Sequence, residues 1–317
     1  MTAPMAAHHE VRQPSLLSFQ GRSMLGTQRW DLVEGDEVAP GRRIIEPLGR
    51  GERYQTYLAT DAHLLTTVVV KVLRADRRND ARARRGLLAE ARMLERIHHP
   101  VIVRAFGAVV DGQQPHIVLE HLEGPALSTL LRRHGPLPLR QLLPLAIQIG
   151  AALHYLHAER VVHLDIKPRN IIMGAPPRLI DLSVARSFAA AEALEDRVGT
   201  DAYMAPEQVD PAAHGPVGPG ADVWGLGVTL YEALAGRRPW PGAADGAAHP
   251  QMRGGPAPLP RDVPRDLADI VLACLRPDAA ARPAPVEVLD AVEPLVAALP
   301  TRPVLSRLRP RFRPSGE

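Results

Sequence analysis

Residues 163–170 read His163-Leu164-Asp165-Ile166-Lys167-Pro168-Arg169-Asn170, with Val161-Val162 before them and Ile171-Ile172 after. Both flanks are β-branched, so the polar cluster reads as a loop between two short strands. An acid, a base and an amide in one short turn constrain the rest of the chain, because polar groups crowded between strands usually do chemistry. Alone, the octapeptide is also compatible with an ordinary solvated turn. What decides is whether the remaining sequence supplies the partners such a loop would need.

Size is no obstacle, since 317 residues allow one large domain or two medium ones with a substantial core. The single cysteine, Cys274, excludes an intramolecular disulfide and a cysteine-based zinc site. A reducing cytoplasm fits that usage. Residues 1–10 lack the charged-then-apolar pattern of a signal peptide, and no apolar run approaches the roughly 20 residues of a membrane helix. We therefore expect a soluble cytoplasmic protein with no membrane span. The formal charge of only +3 gives no reason to expect a nucleic-acid partner. The pairs His8-His9 and His98-His99 lack metal-ligand spacing, so the histidines read as solvated or structural.

Residues 1–40 are mixed and polar, without sustained periodicity, and read as a loosely ordered extension. The texture then changes. Residues 43–48 look like a strand running into Gly49-Arg50-Gly51, and 55–60 like its return partner, which makes a hairpin with a glycine-bearing tip. A third strand, 66–72, is almost purely β-branched and carries one charge, Lys71. Residues 81–98 have helical spacing, with Leu87, Ala91, Leu94 and Ile97 on one face and Pro100 as the stop. Strands at 101–110 and 116–121 complete a small sheet.

After Gly124 the pattern turns helical. Leu139, Leu142, Leu143, Ala146, Ile147, Leu153 and Leu156 form the buried stripe of a long helix that ends before the 163–170 loop. Residues 222–234 are apolar on nearly all sides, as befits a helix at a domain centre. The stretch 239–264 is dense in Pro, Gly and Ala and predicts an irregular connection, followed by helices near 265–275 and 284–298. The tail, 300–317, interleaves Arg302, Arg307, Arg309, Arg311 and Arg313 with prolines. It reads as a flexible basic arm, either simply solvated or docked on an acidic partner. Nothing in the pattern specifies an oligomeric state.

Laid out in order, these features resemble the protein kinase signature set, most closely that of bacterial serine/threonine kinases of the eukaryotic-like type. The resemblance covers about 41–299 and implies a two-lobed α+β fold, with a sheet-rich lobe at 41–122, a helical lobe at 123–299 and ATP in the cleft between them. Phosphoryl transfer needs cations, metal-holding carboxylates and a hydroxyl-orienting acid more than covalent chemistry. By resemblance, Lys71 would pair with the nucleotide phosphates and Glu90 would position it. The bland alternative for Lys71 is a snorkelling edge lysine. Asp165 would orient the acceptor hydroxyl, Lys167 would stabilise the moving phosphoryl group, and Asn170 and Asp181 would hold magnesium, with manganese as a substitute. Gly49, Gly51, Thr56 and Val69 would line the nucleotide site. Glu120, His121 and Leu122 resemble the hinge whose backbone holds adenine, with Leu119 guarding the back pocket.

Residues 199–208, ending Ala205-Pro206-Glu207-Gln208, resemble the end of an activation segment. Glu207 with Arg282 looks like the family's buried ion pair, and Asp222 like the carboxylate tethering the catalytic loop. That ending implies a protein substrate over a small molecule, and Lys167 two residues beyond Asp165 implies a Ser or Thr acceptor.

The chain departs from the pattern at several places. Tyr54 stands where a third glycine is expected, so its side chain must point away or cap the site. Thr56 and Val69 replace the usual valine and alanine near adenine, and the added volume of Val69 would cost about 1–3 kcal/mol if uncompensated. Leu164 replaces the arginine that normally binds a phosphorylated activation segment, which predicts that such phosphorylation is not the switch. Ser183 replaces a glycine hinge in Asp181-Leu182-Ser183. These departures define the rival reading, a pseudokinase acting as a nucleotide-binding or scaffolding module.

Overall fold

The computed structural model describes residues 30–240 and 249–299. The expectations for the first part of the extension and for the basic tail lie outside these residues. The first part of the described residues forms a six-stranded antiparallel sheet of β1 (Glu37–Ala39), β2 (Arg42–Arg50), β3 (Tyr54–Asp61), β4 (Thr66–Leu73), β5 (Ala105–Val109) and β6 (His116–Glu120). Their spatial order is β1-β2-β3-β4-β6-β5, so the β-branched β4 lies inside the sheet, where its side chains are buried. Helix α1 (Ala81–Arg96) starts at Asp80, whose carboxylate caps the amides of Arg82 and Ala83. It buries Leu87, Glu90, Ala91 and Leu94.

The helical lobe contains α2 (Leu127–His134), α3 (Leu139–Ala158), α4 (Phe188–Glu192), α5 (Pro206–Val209), α6 (Pro211–His214), α7 (Pro219–Ala235), α8 (Arg265–Cys274) and α9 (Pro285–Ala297). Two small hairpin-like pairs hold the polar loop. Strand β7 (Val161–Val162) pairs with β10 (Arg186–Ser187), and β8 (Ile171–Ile172) pairs with β9 (Arg178–Leu179). Helix α7 is buried along nearly its whole length, as its all-round apolar sequence requires. Gly225 lets it pass directly under the loop, because a Cβ there would stand 3.0 Å from the Ile166 carbonyl oxygen.

Two boundaries differ from the sequence expectation. The ordered fold begins before Gly41: β1 joins β2, Leu32 and Val38 are buried, and Asp31 accepts a hydrogen bond from the Ala75 amide. A three-residue strand is too short to show periodicity, so this part of 1–40 could not be read as ordered. The expected strand 101–110 is shorter as well. Its first residues leave the sheet, and the Val103 amide instead donates to the Leu179 carbonyl in the helical lobe. The 239–264 stretch is irregular where described, apart from one turn of 3-10 helix at Pro250–Met252. Among the described residues no helix is long and apolar enough to cross a membrane.

Candidate active site

Strand β4 alternates, so Val68, Val70 and Val72 point into the sheet's core while Val69 and Lys71 share the opposite face. Across the ladder Thr56 opposes Lys71 and Lys71 opposes Ile117, while Leu58, Val69 and Leu119 form the next row. Thr56, Val69 and Leu119 therefore line one surface around Lys71. On α1, Glu90 is buried on the apolar face, which is tolerated because Lys71 Nζ donates to both its carboxylate oxygens at 2.8 and 3.0 Å. The third ammonium proton goes to Asp181 Oδ1 at 2.7 Å.

One cation thus sits between two carboxylates, which sets their ionisation. Burial alone would lower the Lys71 pKa, but Asp181 and Glu90 outweigh it and hold the ammonium charged. Burial also works against the Asp181 carboxylate, yet Lys71 keeps it well below the usual range. Glu90 goes the other way, because burial and the neighbouring Asp181 raise it despite Lys71. Asp181 adopts φ +70°, uncommon for a residue with a side chain. Its side chain is 37 % exposed.

Tyr54 resolves its own ambiguity by capping. Its ring covers Lys71 Nζ at 4.8 Å from the centroid, and its hydroxyl lies against Gly86 of α1.

The polar loop is built from below. Asp222, fully buried on α7, accepts the amides of His163 at 2.8 Å and Leu164 at 2.7 Å and also meets His157 Nε2 at 3.0 Å. This matches the expected tether. His163 Nε2 reaches the Ile180 carbonyl at 3.3 Å, joining the loop to the residue before Asp181. Asp165 Oδ2 pairs with Lys167 Nζ at 2.6 Å, and Oδ1 accepts the Thr200 hydroxyl at 2.8 Å. Lys167 Nζ also donates to that hydroxyl at 2.6 Å. The Asn170 amide nitrogen must face Asp165, since it donates to both the carbonyl and Oδ2 of that residue. Its oxygen is thereby turned away as a neutral ligand. The Asn170 carbonyl accepts from Ile180 N, which brings it beside Asp181 across the β8–β9 pair.

The two oxygens available from Asn170 and Asp181 suit a hard divalent cation. Among the described residues no cluster of three or more His, Cys, Asp or Glu side chains could hold a metal by itself, so any ion here would need further ligands from nucleotide or water. Glu120 ends β6. Its carboxylate accepts the Arg104 amide at 2.7 Å and pairs with Arg178 at 3.0 Å, tying the sheet to β9. The Glu207–Arg282 pair forms at 2.7 and 2.9 Å, and the Arg282 guanidinium lies over Trp224.

A model of the protein kinase domain matches residues 42–292. This chain belongs to the protein kinase family. It is 34% identical over 242 residues to the serine/threonine-protein kinase PknA of Mycobacterium tuberculosis, covering 73% of this chain and 54% of the relative. It is 34% identical over 258 residues to the serine/threonine-protein kinase PkaA of Streptomyces coelicolor, covering 75% and 47%. The probable serine/threonine-protein kinase PkwA of Thermomonospora curvata is 33% identical over 257 residues, covering 79% and 34%. The chain therefore spans about half the length, or less, of these relatives. Protein kinases in general use ATP, a divalent metal and a protein acceptor.

All six polar residues singled out in the sequence meet in this kinase fold as two clusters, Lys71 with Glu90 and Asp181, and Asp165 with Lys167 and Asn170. Sequence reading gave no such place to Thr200, His157 or Gln208. Thr200 stands next to Gly199 and carries a hydroxyl, the one signal that pointed to it. The other two act only through tertiary contacts.

Proposed function

We propose that this chain is an active serine/threonine protein kinase that transfers the γ-phosphoryl group of ATP to protein hydroxyls. The observation that carries the reading is the joint arrangement of Asp165, Lys167 and an aliphatic hydroxyl: Thr200 Oγ1 donates to Asp165 while accepting from Lys167. Asp165 can accept the proton of an acceptor serine or threonine, and Lys167 can neutralise charge as the phosphoryl group moves. Asp181 and the Asn170 oxygen would hold magnesium, or manganese in its place, which shields phosphate charge when bound. Lys71, fixed by Glu90, would contact the nucleotide phosphates. The surface of Thr56, Val69 and Leu119, closed by the glycine-bearing tip with Gly49 and Gly51, would receive adenine, with the backbone of 120–122 at its edge.

The buried, neutral Leu164 supports a kinase not switched by phosphate on the activation segment. The cysteine usage supports action in a reducing cytoplasm. The basic tail is proposed to dock an acidic partner.

One observation favours the pseudokinase reading. All three ammonium protons of Lys71 are already satisfied within the chain, and Tyr54 covers it. Phosphate transfer from labelled ATP with magnesium or manganese decides between the two readings. Asp165→Asn and Lys71→Met are expected to lower transfer by about 100-fold to 10,000-fold. Signal unchanged in both variants would identify a contaminant, and a melting shift with ATP and magnesium but no transfer would leave a nucleotide-binding module.

A further inference from the structure

Gln208 uses its whole side-chain amide on backbone groups of three separate stretches. Its Nε2 donates to the carbonyls of Leu164 at 3.0 Å and Val198 at 2.8 Å, and its Oε1 accepts the Ala205 amide at 3.0 Å. The side chain is buried, so these bonds are made away from competing water.

Both ends of this bridge adjoin reacting groups. Leu164 immediately precedes Asp165 and is held twice, by Asp222 at its N–H and by Gln208 at its carbonyl. It keeps φ +66°, a conformation that persists for a branched residue only when its surroundings over-determine it. Val198 precedes Gly199 and Thr200. At Gly199, with φ +123°, a Cβ would stand 2.7 Å from the Leu164 oxygen and 3.2 Å from Gln208 Nε2. Only glycine lets the two segments approach this closely. The next residue, Thr200, then reaches Asp165 and Lys167.

We propose that Gln208 is a positioning residue, a neutral latch that fastens the activation segment to the loop carrying Asp165 and holds both in the reactive arrangement without covalent modification. The inference rests on the kinase reading above. It requires an NH2 group with two donors at this length, which neither a carboxylate nor a shorter amide supplies.

The test uses the full chain made with a co-expressed phosphatase and shown by mass to carry no phosphate. Gln208→Glu keeps the shape but turns an oxygen toward two carbonyls, and Gln208→Asn keeps the amide one methylene short. Both are expected to lower kcat, Gln208→Glu by about 100-fold, with the KM for ATP within about 3-fold of wild type. Amide hydrogen exchange should accelerate at 198–203 while α7 keeps its protection. A kcat within about 3-fold of wild type in Gln208→Glu would overturn the latch. So would unchanged exchange at 198–203, exchange accelerated throughout the helical lobe, or a wild type inactive until phosphate is added to 187–200. If the unmodified and phosphorylated wild types both transfer nothing, the kinase reading fails, and exchange in Gln208→Glu alone decides the latch. Loss of protection confined to 198–203 upholds it, and no change overturns it.

Discussion

Lys71, Glu90 and Asp181 meet only through their charged ends, from segments separated by 19 and 110 residues. Asp165 and Asn170 lie on a loop whose backbone is gripped by buried side chains, Asp222 from α7 and Gln208 from α5. The first cluster can exchange partners, because each charged end can trade one oxygen or ammonium proton for another. The second cannot, since breaking any grip strands desolvated backbone groups at about 1–3 kcal/mol each. A phosphoryl-transfer site needs both qualities: a cationic side that yields to an incoming nucleotide, and a rigid side that fixes the acceptor.

The contrast is broken most sharply beneath the rigid side. Arg282→Ala would leave the Glu207 carboxylate buried without its partner and should cost about 3–5 kcal/mol in urea unfolding. A loss no greater than that of Lys71→Met would remove the distinction between the two regions.

Lys71→Met should cost less, about 1–3 kcal/mol at neutral pH, because Glu90 has a way out by taking up a proton. Its pKa is already raised by burial and by Asp181, and removing Lys71 raises it further. A carboxyl whose folded pKa lies above its unfolded value stabilises at low pH, and that contribution is lost as pH rises through the folded pKa. The variant should therefore be closest to wild type in mild acid and fall behind as pH rises through Glu90's raised range. Melting temperature against pH for both proteins checks this, and a constant gap would contradict it.

The smallest effect concerns the cover on the yielding side. Tyr54→Leu keeps an apolar side chain but removes the ring over Lys71, and should lower stability by about 0.5–1 kcal/mol. The same change should enlarge the melting shift produced by ATP and magnesium, since Lys71 becomes easier to reach. A smaller shift would mean that Tyr54 helps nucleotide in.

Much of this was legible because it follows chain order. A lone lysine in a β-branched run, a carboxylate on an apolar helix face and an acid, base and amide in one turn are local signals. Each predicted the right element and side. Tyr54 was legible only as a choice between pointing away and capping, because the choice depends on where α1 and its Gly86 lie. Glu120 was legible only by its position in the chain; its side chain goes to Arg104 and Arg178, partners that only the folded sheet and β9 bring near. The expected strand 101–110 was cut short because Val103 found a better hydrogen-bond partner in the other lobe.

The sequence by itself determined the order of elements and the positions of the six polar residues, since period, turn chemistry and charge are properties of neighbouring residues; the two-lobed class followed from the family resemblance those motifs carry. The tertiary structure alone decided that Lys71 has all three protons engaged, that Thr200 closes on Asp165, and that Gln208 fastens residues 44 and 10 positions away. Hydrogen-bond donors and acceptors are nearly interchangeable along a chain. Which of them meet is settled only when packing removes water and limits each buried group to the partners within its reach.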